Sequence, residues 1–431
     1  VSRSVAIATL GCKTNQFESA AIEERLREAG YRFVPFDEGA ELVIVNTCTV
    51  TAATDAQSRN LVRRARRLNP DCRVVVTGCY AQVDPAALLA IPGVSLVLGN
   101  DEKRDLLRLI AEGGETPAAH VSDIRQATEA VPLPLSSFSE RSRAFVQIQN
   151  GCDAFCSYCI IPYARGRSRS VDPEAVLEQV GTLVDSGYGE IVLTGIHIGG
   201  YGLDLSPPTS LLSLVQRIES ETRVARLRLG SLEPTEISAA LIETVAASPI
   251  LCPHFHIPLQ AGDDEVLQRM NRHYDTTFFR KLVETIHARI PEAAIGLDVI
   301  VGFPGESDDE FANTLALIEE LPVSHLHVFP FSRRPGTPAA TMAGQLPGDL
   351  IRERAARLRA LGDDKLRRFA ERFVGSTLDV VVEGGRHGGL GRGLSRNYLS
   401  VLFPCDKGRE GEALDLRITA SQGEHLLGVL P

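Results

Sequence analysis

Three cysteines stand close together in Gly151-Cys-Asp-Ala-Phe-Cys-Ser-Tyr-Cys159, with three and then two residues between them. Soft thiolates at that spacing suit iron, and a short loop can wrap one face of an iron–sulfur cluster. A structural zinc site is closed by four ligands, whereas a cluster held by three leaves one iron open to an outside molecule. Cys152, Cys156 and Cys159 are therefore read as ligands of such a cluster, against a zinc loop or a set of buried thiols. A second set is spread along the chain. Cys12, Cys48 and Cys79 each follow a short apolar run, in Thr9-Leu-Gly-Cys12, Asn46-Thr-Cys48 and Thr77-Gly-Cys79. If those runs are parallel strands, their carboxyl ends share one edge and the three thiols converge. This reads as a second three-thiolate cluster; the plain alternative is three unrelated core cysteines.

The elements that must position these thiols follow from hydrophobic patterning. Up to about residue 112, the β-branched runs Val5–Leu10, Leu42–Val45 and Val74–Thr77 alternate with helical patterns such as Glu18–Ala29 and Ala53–Leu68. That order implies a small open parallel α/β sheet. Residues 113–143 carry Gly, Pro, Ser and Thr without apolar periodicity and read as a linker. Six strand-like runs then recur with helical stretches between them: 144–149, 190–194, 226–230, 254–259, 294–301 and 325–331. Six β–α units suggest a curled parallel sheet, a partial barrel, whose chemistry sits at the C-terminal ends of its strands. The cysteine loop falls at such an end, as do Thr194-Gly195, Glu233, Gln260 and Val301-Gly302. A basic helix over 350–373 leads into a last segment with runs at 377–382, 398–402, 414–419 and 426–430 around Gly-rich turns. These read as a small antiparallel barrel, a shape that binds RNA or serves as a stabilising cap.

A chain of 431 residues with 44% hydrophobic and 23% charged residues has room for two or three domains with proper cores. No stretch approaches a membrane span, and the opening run reads as a strand, not a signal peptide. Nine cysteines are too sparse for a disulfide scaffold, and iron-binding thiols need a reducing compartment, which points to the cytoplasm. The net charge of −10 argues against a nucleic-acid partner, but local basic clusters soften that objection. Between Leu350 and Gly375, Arg352, Arg354, Arg357, Arg359, Lys365, Arg367, Arg368 and Arg372 stand against four acidic residues. Arg63, Arg64, Arg66 and Arg67 form a second cluster, and Arg165, Arg167 and Arg169 a third. Each is either a phosphate-binding stripe or a solvated helix face.

The cysteine–any–aromatic–cysteine ending, with Tyr158 before Cys159, resembles the radical S-adenosylmethionine (SAM) superfamily. With its N-terminal cysteines and C-terminal barrel, the whole chain resembles the methylthiotransferase family. The resemblance implies an N-terminal domain over 1–112, a linker over 113–143, a radical-SAM core over 144–372 and an RNA-binding TRAM-like barrel over 373–431. It implies two 4Fe-4S clusters, on Cys12, Cys48 and Cys79 and on Cys152, Cys156 and Cys159, with SAM on the second. Tyr158, Thr194, Gly195, Glu233, Gln260, Val301 and Gly302 then fall at positions that bind SAM. Arg165, Arg167 and Arg169 would hold RNA phosphates or a substrate carboxylate, and no side chain is assigned as a catalytic acid or base. Cys72, Cys252 and Cys405 match no ligand position.

Within the family, Thr9-Leu-Gly-Cys-Lys-Thr-Asn-Gln-Phe-Glu-Ser19, Ile160-Ile-Pro-Tyr-Ala-Arg-Gly166 and Thr194-Gly-Ile-His-Ile-Gly-Gly-Tyr-Gly202 resemble one branch. That branch adds a methylthio group to C2 of N6-threonylcarbamoyladenosine in tRNA. Its partners would be tRNA, an electron donor such as a flavodoxin-type reductant and a sulfur donor, with no membrane. Other branches act on isopentenyladenosine or on a ribosomal-protein aspartate. A reading of another class is an iron–sulfur RNA-binding or redox-sensing protein without turnover. His254, His256, His325 and His327 alternate on expected strands and read as core or pocket-lining residues.

Overall fold

The alternation of β-branched runs with helices in the first 120 residues builds a parallel sheet. The computed structural model describes residues 3–114, 116–130, 133–138, 142–406 and 408–431. Strands β1 (Ser4–Thr9), β2 (Arg32–Phe33), β3 (Leu42–Thr47), β4 (Arg73–Gly78), β5 (Val94–Leu98) and β6 (Ala118–His120) run in the order β2-β1-β3-β4-β5-β6. Two apolar clusters cover its faces, one around Val43, Val62 and Val76, the other around Ile22, Ile44 and Leu109. The sheet thus has six strands where the sequence reading expected three. β2 and β6 carry little apolar signal and are held by backbone pairing, with Phe33 and Ala118 as their contributions to the apolar cluster. β6 also lies in the segment read as a linker. From that segment Ile124, Leu135 and Phe138 are buried; its residues 115, 131–132 and 139–141 lie outside the described residues.

Each cysteine sits where a strand turns over the sheet edge. Cys12 precedes helix α1 (Lys13–Glu28), Cys48 lies between β3 and helix α2 (Ala52–Leu68), and Cys79 opens the short helix α3 (Cys79–Val83). Glycine is required at two of these turns. Gly11 has φ +102°, and a Cβ there would lie 2.9 Å from Cys48 Cβ; Gly78 has φ +98°, and a Cβ would lie 2.4 Å from the Thr47 carbonyl oxygen. Only bare backbone lets the three turns crowd together.

The second unit is a partial barrel. Its strands are β7 (Ala144–Gln147), then the short antiparallel pair β8 (Gln149–Asn150) and β9 (Arg169–Ser170) that brackets the cysteine loop. β10 (Ile191–Thr194), β11 (Leu227–Leu229), β12 (His254–Gln260), β13 (Ala294–Val301) and β14 (His325–Pro330) complete it. Parallel β7-β10-β11 and β12-β13-β14 join through bridges at Leu227–Leu251 and Ser231–His256. Outward residues of these strands enter one large core with the surrounding helices. Inward ones, such as His256, Asp298, Ile300, His327 and Phe329, stay partly exposed, so the lumen is open. β7 and β14 do not pair with each other among the described residues. The N-terminal unit covers that gap: α1 packs on β7, and Arg334, after β14, donates to Thr49 Oγ1 (2.7 Å) and Asp55 Oδ2 (2.6 Å).

The C-terminal strands β15 (Thr377–His387), β16 (Leu390–Ser395), β17 (Ser400–Phe403), β18 (Ala413–Gln422) and β19 (His425–Val429) close into a five-stranded barrel. Its turn at 395–398 plugs the floor of the partial barrel. Arg228 donates to the carbonyl oxygens of Arg396 (2.9 Å) and Ser395 (3.2 Å), and Tyr398 stacks on His254 with ring centroids 4.3 Å apart. Glu190 is fully buried there between Arg226 (2.8 Å) and Arg228 (2.7 Å). Burial alone would raise the pKa of Glu190, but Arg228, Arg226 and Arg143 outweigh it and hold the carboxyl at about 2.

The basic helix is observed over Gly348–Glu371. Three of its arginines are matched by carboxylates: Arg367 by Asp364 and Glu371, Arg368 by Asp364 and Glu319, Arg354 by Glu306 and Asp308. Arg372 donates to the Pro291 carbonyl oxygen and lies over the Phe369 ring. Where these pairs form, the helix is a laced surface, the solvated-face alternative weighed from the sequence. The two kinds of ion pair should differ sharply in worth. Glu190→Ala, which strands two buried arginines, is expected to lower the unfolding free energy by about 3–5 kcal/mol. Arg367→Gln, at an exposed pair, should leave the denaturation midpoint almost unchanged. Urea denaturation of both variants checks the contrast.

Candidate active site between two cysteine sets

The thiols of Cys12, Cys48 and Cys79 lie close enough to interact electrostatically, as do those of Cys152, Cys156 and Cys159. All are free. Burial first, and then neighbouring Cys79, push the Cys48 thiol up to about 11. Burial pushes Cys159 up to about 12. Thiols so placed do not ionise alone at neutral pH; a coordinated metal deprotonates them. Guanidinium groups aimed at two of the sulfurs fit that anionic state: Arg165 Nε donates to Cys79 Sγ at 3.2 Å, and Arg272 Nη1 to Cys156 Sγ at 3.1 Å. The donor sets thus fit thiolate-ligated clusters. Cys72 and Cys252 are buried elsewhere, and Cys405 lies in the C-terminal barrel.

Arg165 joins the two sets. It ends the short helix Ile161–Arg165 that follows the cysteine loop, and it is fully buried. Beyond its contact with Cys79, it pairs with Glu18 and Asn15 of α1. Glu18 also pairs with Lys103, whose ammonium donates to Asn100 Oδ1 at 2.8 Å. Asn100 Nδ2 in turn donates to the Ala164 carbonyl oxygen at 2.7 Å. This corrects the expectation that Arg165 holds RNA phosphate or a substrate carboxylate: every arm of its guanidinium is occupied inside the protein. Arg169 is also buried, donating to the Arg165 and Ala127 carbonyl oxygens. Arg167 alone of the three is exposed.

The expected SAM-contacting residues surround the barrel cysteines in part. A cavity of about 210 Å³ is lined by Tyr158, Cys159, Gln260, Asp298, Ile300 and Phe329, and by Val50 and Thr51 from beyond Cys48. Tyr158 packs against the apolar cluster of Ala261, Met270 and Phe303. Gln260 holds φ +66° at the end of β12. Thr194 and Gly195 stand at the end of β10, where Gly195 packs against the Gln149 carbonyl oxygen. Glu233 pairs with Arg272, so one guanidinium spans a cysteine sulfur and a carboxylate. The Val301 side chain is buried in the core, its carbonyl oxygen accepts from the Phe331 N–H at 2.8 Å, and the Gly302 N–H donates to Glu306 Oε2 at 2.9 Å.

Sequence reasoning missed Lys13, Glu18, Asn100, Arg272 and His197, whose Nδ1 lies 3.8 Å from Cys152 Sγ. Glu18 and Asn15 lie in a helix that starts at Cys12, so their spacing of six and three residues could have flagged them. Nothing in the sequence places Arg272 beside Cys156.

Comparison with known proteins agrees with this geometry. A family model described as uncharacterized protein family UPF0004 matches residues 4–99, and one for the radical SAM superfamily matches 146–318. The threonylcarbamoyladenosine tRNA methylthiotransferase MtaB of Bacillus subtilis is 41% identical, over 96% of this chain and 93% of its own. The chain belongs to the radical-SAM methylthiotransferase family. A family member of the other kind, the tRNA-2-methylthio-N(6)-dimethylallyladenosine synthase of Pelotomaculum thermopropionicum, is 34% identical over 98% of this chain and 97% of its own. Among solved structures, the radical S-adenosylmethionine methyltransferase TsrM of Kitasatospora setae shares the fold with a TM-score of 0.56. It is 17% identical and covers 79% of this chain and 75% of that one. This methylthiotransferase is an enzyme of SAM and a 4Fe-4S cluster, and no helix of its described residues is long and apolar enough to cross a membrane.

The buried Glu18 gives a pH signature. Burial would raise its pKa, but Arg165 and Lys103 overcome that and lower it from 4.5 to about 2. A carboxyl depressed on folding adds stability that is full above its unfolded pKa and lost as pH falls toward the folded one. The advantage of the wild type over Glu18→Gln should therefore shrink by roughly 2 kcal/mol between pH 7 and pH 3. Denaturant titration of matched cluster-free samples checks this.

Proposed function

We infer that this enzyme adds a methylthio group to C2 of N6-threonylcarbamoyladenosine in tRNA, using a second 4Fe-4S cluster on Cys12, Cys48 and Cys79. The observation that carries the two-cluster reading is Arg165, which ties the helix after the barrel cysteines to a thiol of the N-terminal set. The choice of base rests on the relatives: MtaB proteins at 36–41% identity stand above the dimethylallyladenosine synthases at 32–34%. When bound, the barrel cluster supplies the electron for reductive cleavage of SAM, and the second carries the sulfur to be transferred.

The chain's own residues have the remaining tasks. Cys152, Cys156 and Cys159 hold the first cluster and leave one coordination position for SAM. Tyr158, Gln260 and the backbone at Thr194-Gly195 and Val301-Gly302 shape its pocket. Glu233 accepts from ribose hydroxyls while Arg272 fixes its orientation. The cavity walls at Val50, Thr51 and Phe329 exclude water from the gap between the two cysteine sets. Exposed Phe155 and Tyr163, in edge contact at 6.0 Å, offer an aromatic surface beside the cysteine loop on which a base can stack. Arg167 and the C-terminal barrel face the RNA.

Two experiments test this. The nucleoside profile of tRNA from a deletion strain should lack the methylthio derivative of threonylcarbamoyladenosine and retain its precursor. Loss of the methylthio isopentenyl nucleoside instead would reassign the substrate. Replacing Cys12, Cys48 and Cys79 together with alanine should abolish methylthio product while 5′-deoxyadenosine still forms from SAM under dithionite. Product from that variant would remove the second cluster from the reaction.

A further inference from the structure

The charged groups that line the lumen of the partial barrel are mostly paired with one another. Arg143 pairs with Glu383 (2.8 Å) and Glu190 (3.5 Å), Arg226 with Glu190 (2.8 Å) and Asp379 (3.0 Å), and Arg228 with Glu190 (2.7 Å). Asp298 is taken by His256 at 2.8 Å and His327 at 3.3 Å. Into this space comes Lys13, the first residue of α1 and the neighbour of Cys12. It is half-buried, and its ammonium feels Arg143, Arg228, Glu190, Asp298 and His254. Yet no hydrogen bond or ion pair joins it to any described residue. Its counterpart Arg165, five residues along the helix at Glu18, is fully paired. Lys13 is a cation without a partner, set beside a ligand of the N-terminal cysteine set and facing the open lumen.

We propose that the Lys13 ammonium receives the carboxylate of the threonylcarbamoyl group and so sets the enzyme's choice of modified adenosine. This rests on the function inferred above. The threonylcarbamoyl group ends in a carboxylate and an isopentenyl group carries no charge, so one fixed ammonium separates them. A partly desolvated cation gains a charge-assisted hydrogen bond from the first and is left unpaired by the second. Its place next to Cys12 ties recognition of the substituent to the thiols that would hold the transferred sulfur. Across the lumen, His327 is 49% exposed and, oriented through Nδ1 by Asp298, presents Nε2 as a second polar contact. The ligand atoms of His256, Asp298 and His327 lie within 4.8 Å of one another, close enough to hold a metal ion. The unpartnered Lys13 ammonium favours an anion there instead.

The test compares binding of two anticodon stem–loop RNAs to the reconstituted full-length enzyme. One carries threonylcarbamoyladenosine; the other carries the same group with a carboxamide in place of the carboxylate. The wild type should prefer the carboxylate RNA by about 10- to 100-fold. Lys13→Met should bind the two alike, and Lys13→Arg should keep the preference. Equal binding by the wild type overturns the proposal, and that comparison needs no variant. A preference surviving in Lys13→Met, or both affinities falling with their ratio intact, reduces Lys13 to a structural role and overturns it too. A stoichiometric metal beyond the cluster iron, lost in His327→Phe, would assign the lumen to a cation with the same consequence. A wild type that methylthiolates the carboxylate RNA while ignoring its charge refutes only this inference. One that acts on isopentenyladenosine RNA instead refutes the function on which it rests.

Discussion

A single buried guanidinium holds the active site together. Arg165 belongs to the helix that follows the barrel cysteines, yet its hydrogen bonds run to Cys79, Glu18 and Asn15 of the N-terminal unit. Burying a cation is costly unless its charge and its donors are all matched. Here they are, by one carboxylate, two amide oxygens and one sulfur. That matching fixes the distance and angle between two cysteine sets more than 70 residues apart in sequence. The turns that carry Cys48 and Cys79 can reach it only because Gly11 and Gly78 leave them room.

A second buried charge network does comparable work at the other end of the barrel. Glu190 gathers Arg226 and Arg228, and these arginines grip the turn of the C-terminal barrel through its backbone carbonyl oxygens. The terminal barrel is therefore part of the wall of the lumen as well as a candidate RNA-binding surface. The capping role does not compete with the RNA-binding role weighed from the sequence, since the face turned toward Arg228 and the outer face of a closed barrel are different surfaces.

Much of this was legible in the sequence for plain physical reasons. Buried parallel strands must be apolar and β-branched, so β1, β3, β4 and all six long barrel strands announced themselves. The six cysteines of the two sets stood at strand ends or in one tight loop, where chemistry collects. What stayed hidden depends on side-chain pairing across long separations. An arginine that follows a cysteine loop reads as a phosphate contact until its carboxylate is found 147 residues earlier on another unit. The arginines of the helix Gly348–Glu371 looked like a basic stripe because the count of basic residues ignored carboxylates on neighbouring helices. Short strands such as β2 and β6 escaped because a backbone ladder needs no particular side chains.

The floor of the lumen has a consequence in time. The turn that seals it is made of residues 395–398, near the end of the chain, whereas the cysteines it serves are all in place by residue 159. During synthesis, both thiol sets and every strand of the partial barrel emerge before the piece that closes the chamber. A chain that stops early holds the sulfurs of both cysteine sets beside a chamber open at its base, with Arg226 and Arg228 deprived of the carbonyl oxygens they grip. Assembly of the chamber is thereby tied to synthesis of the C-terminal barrel.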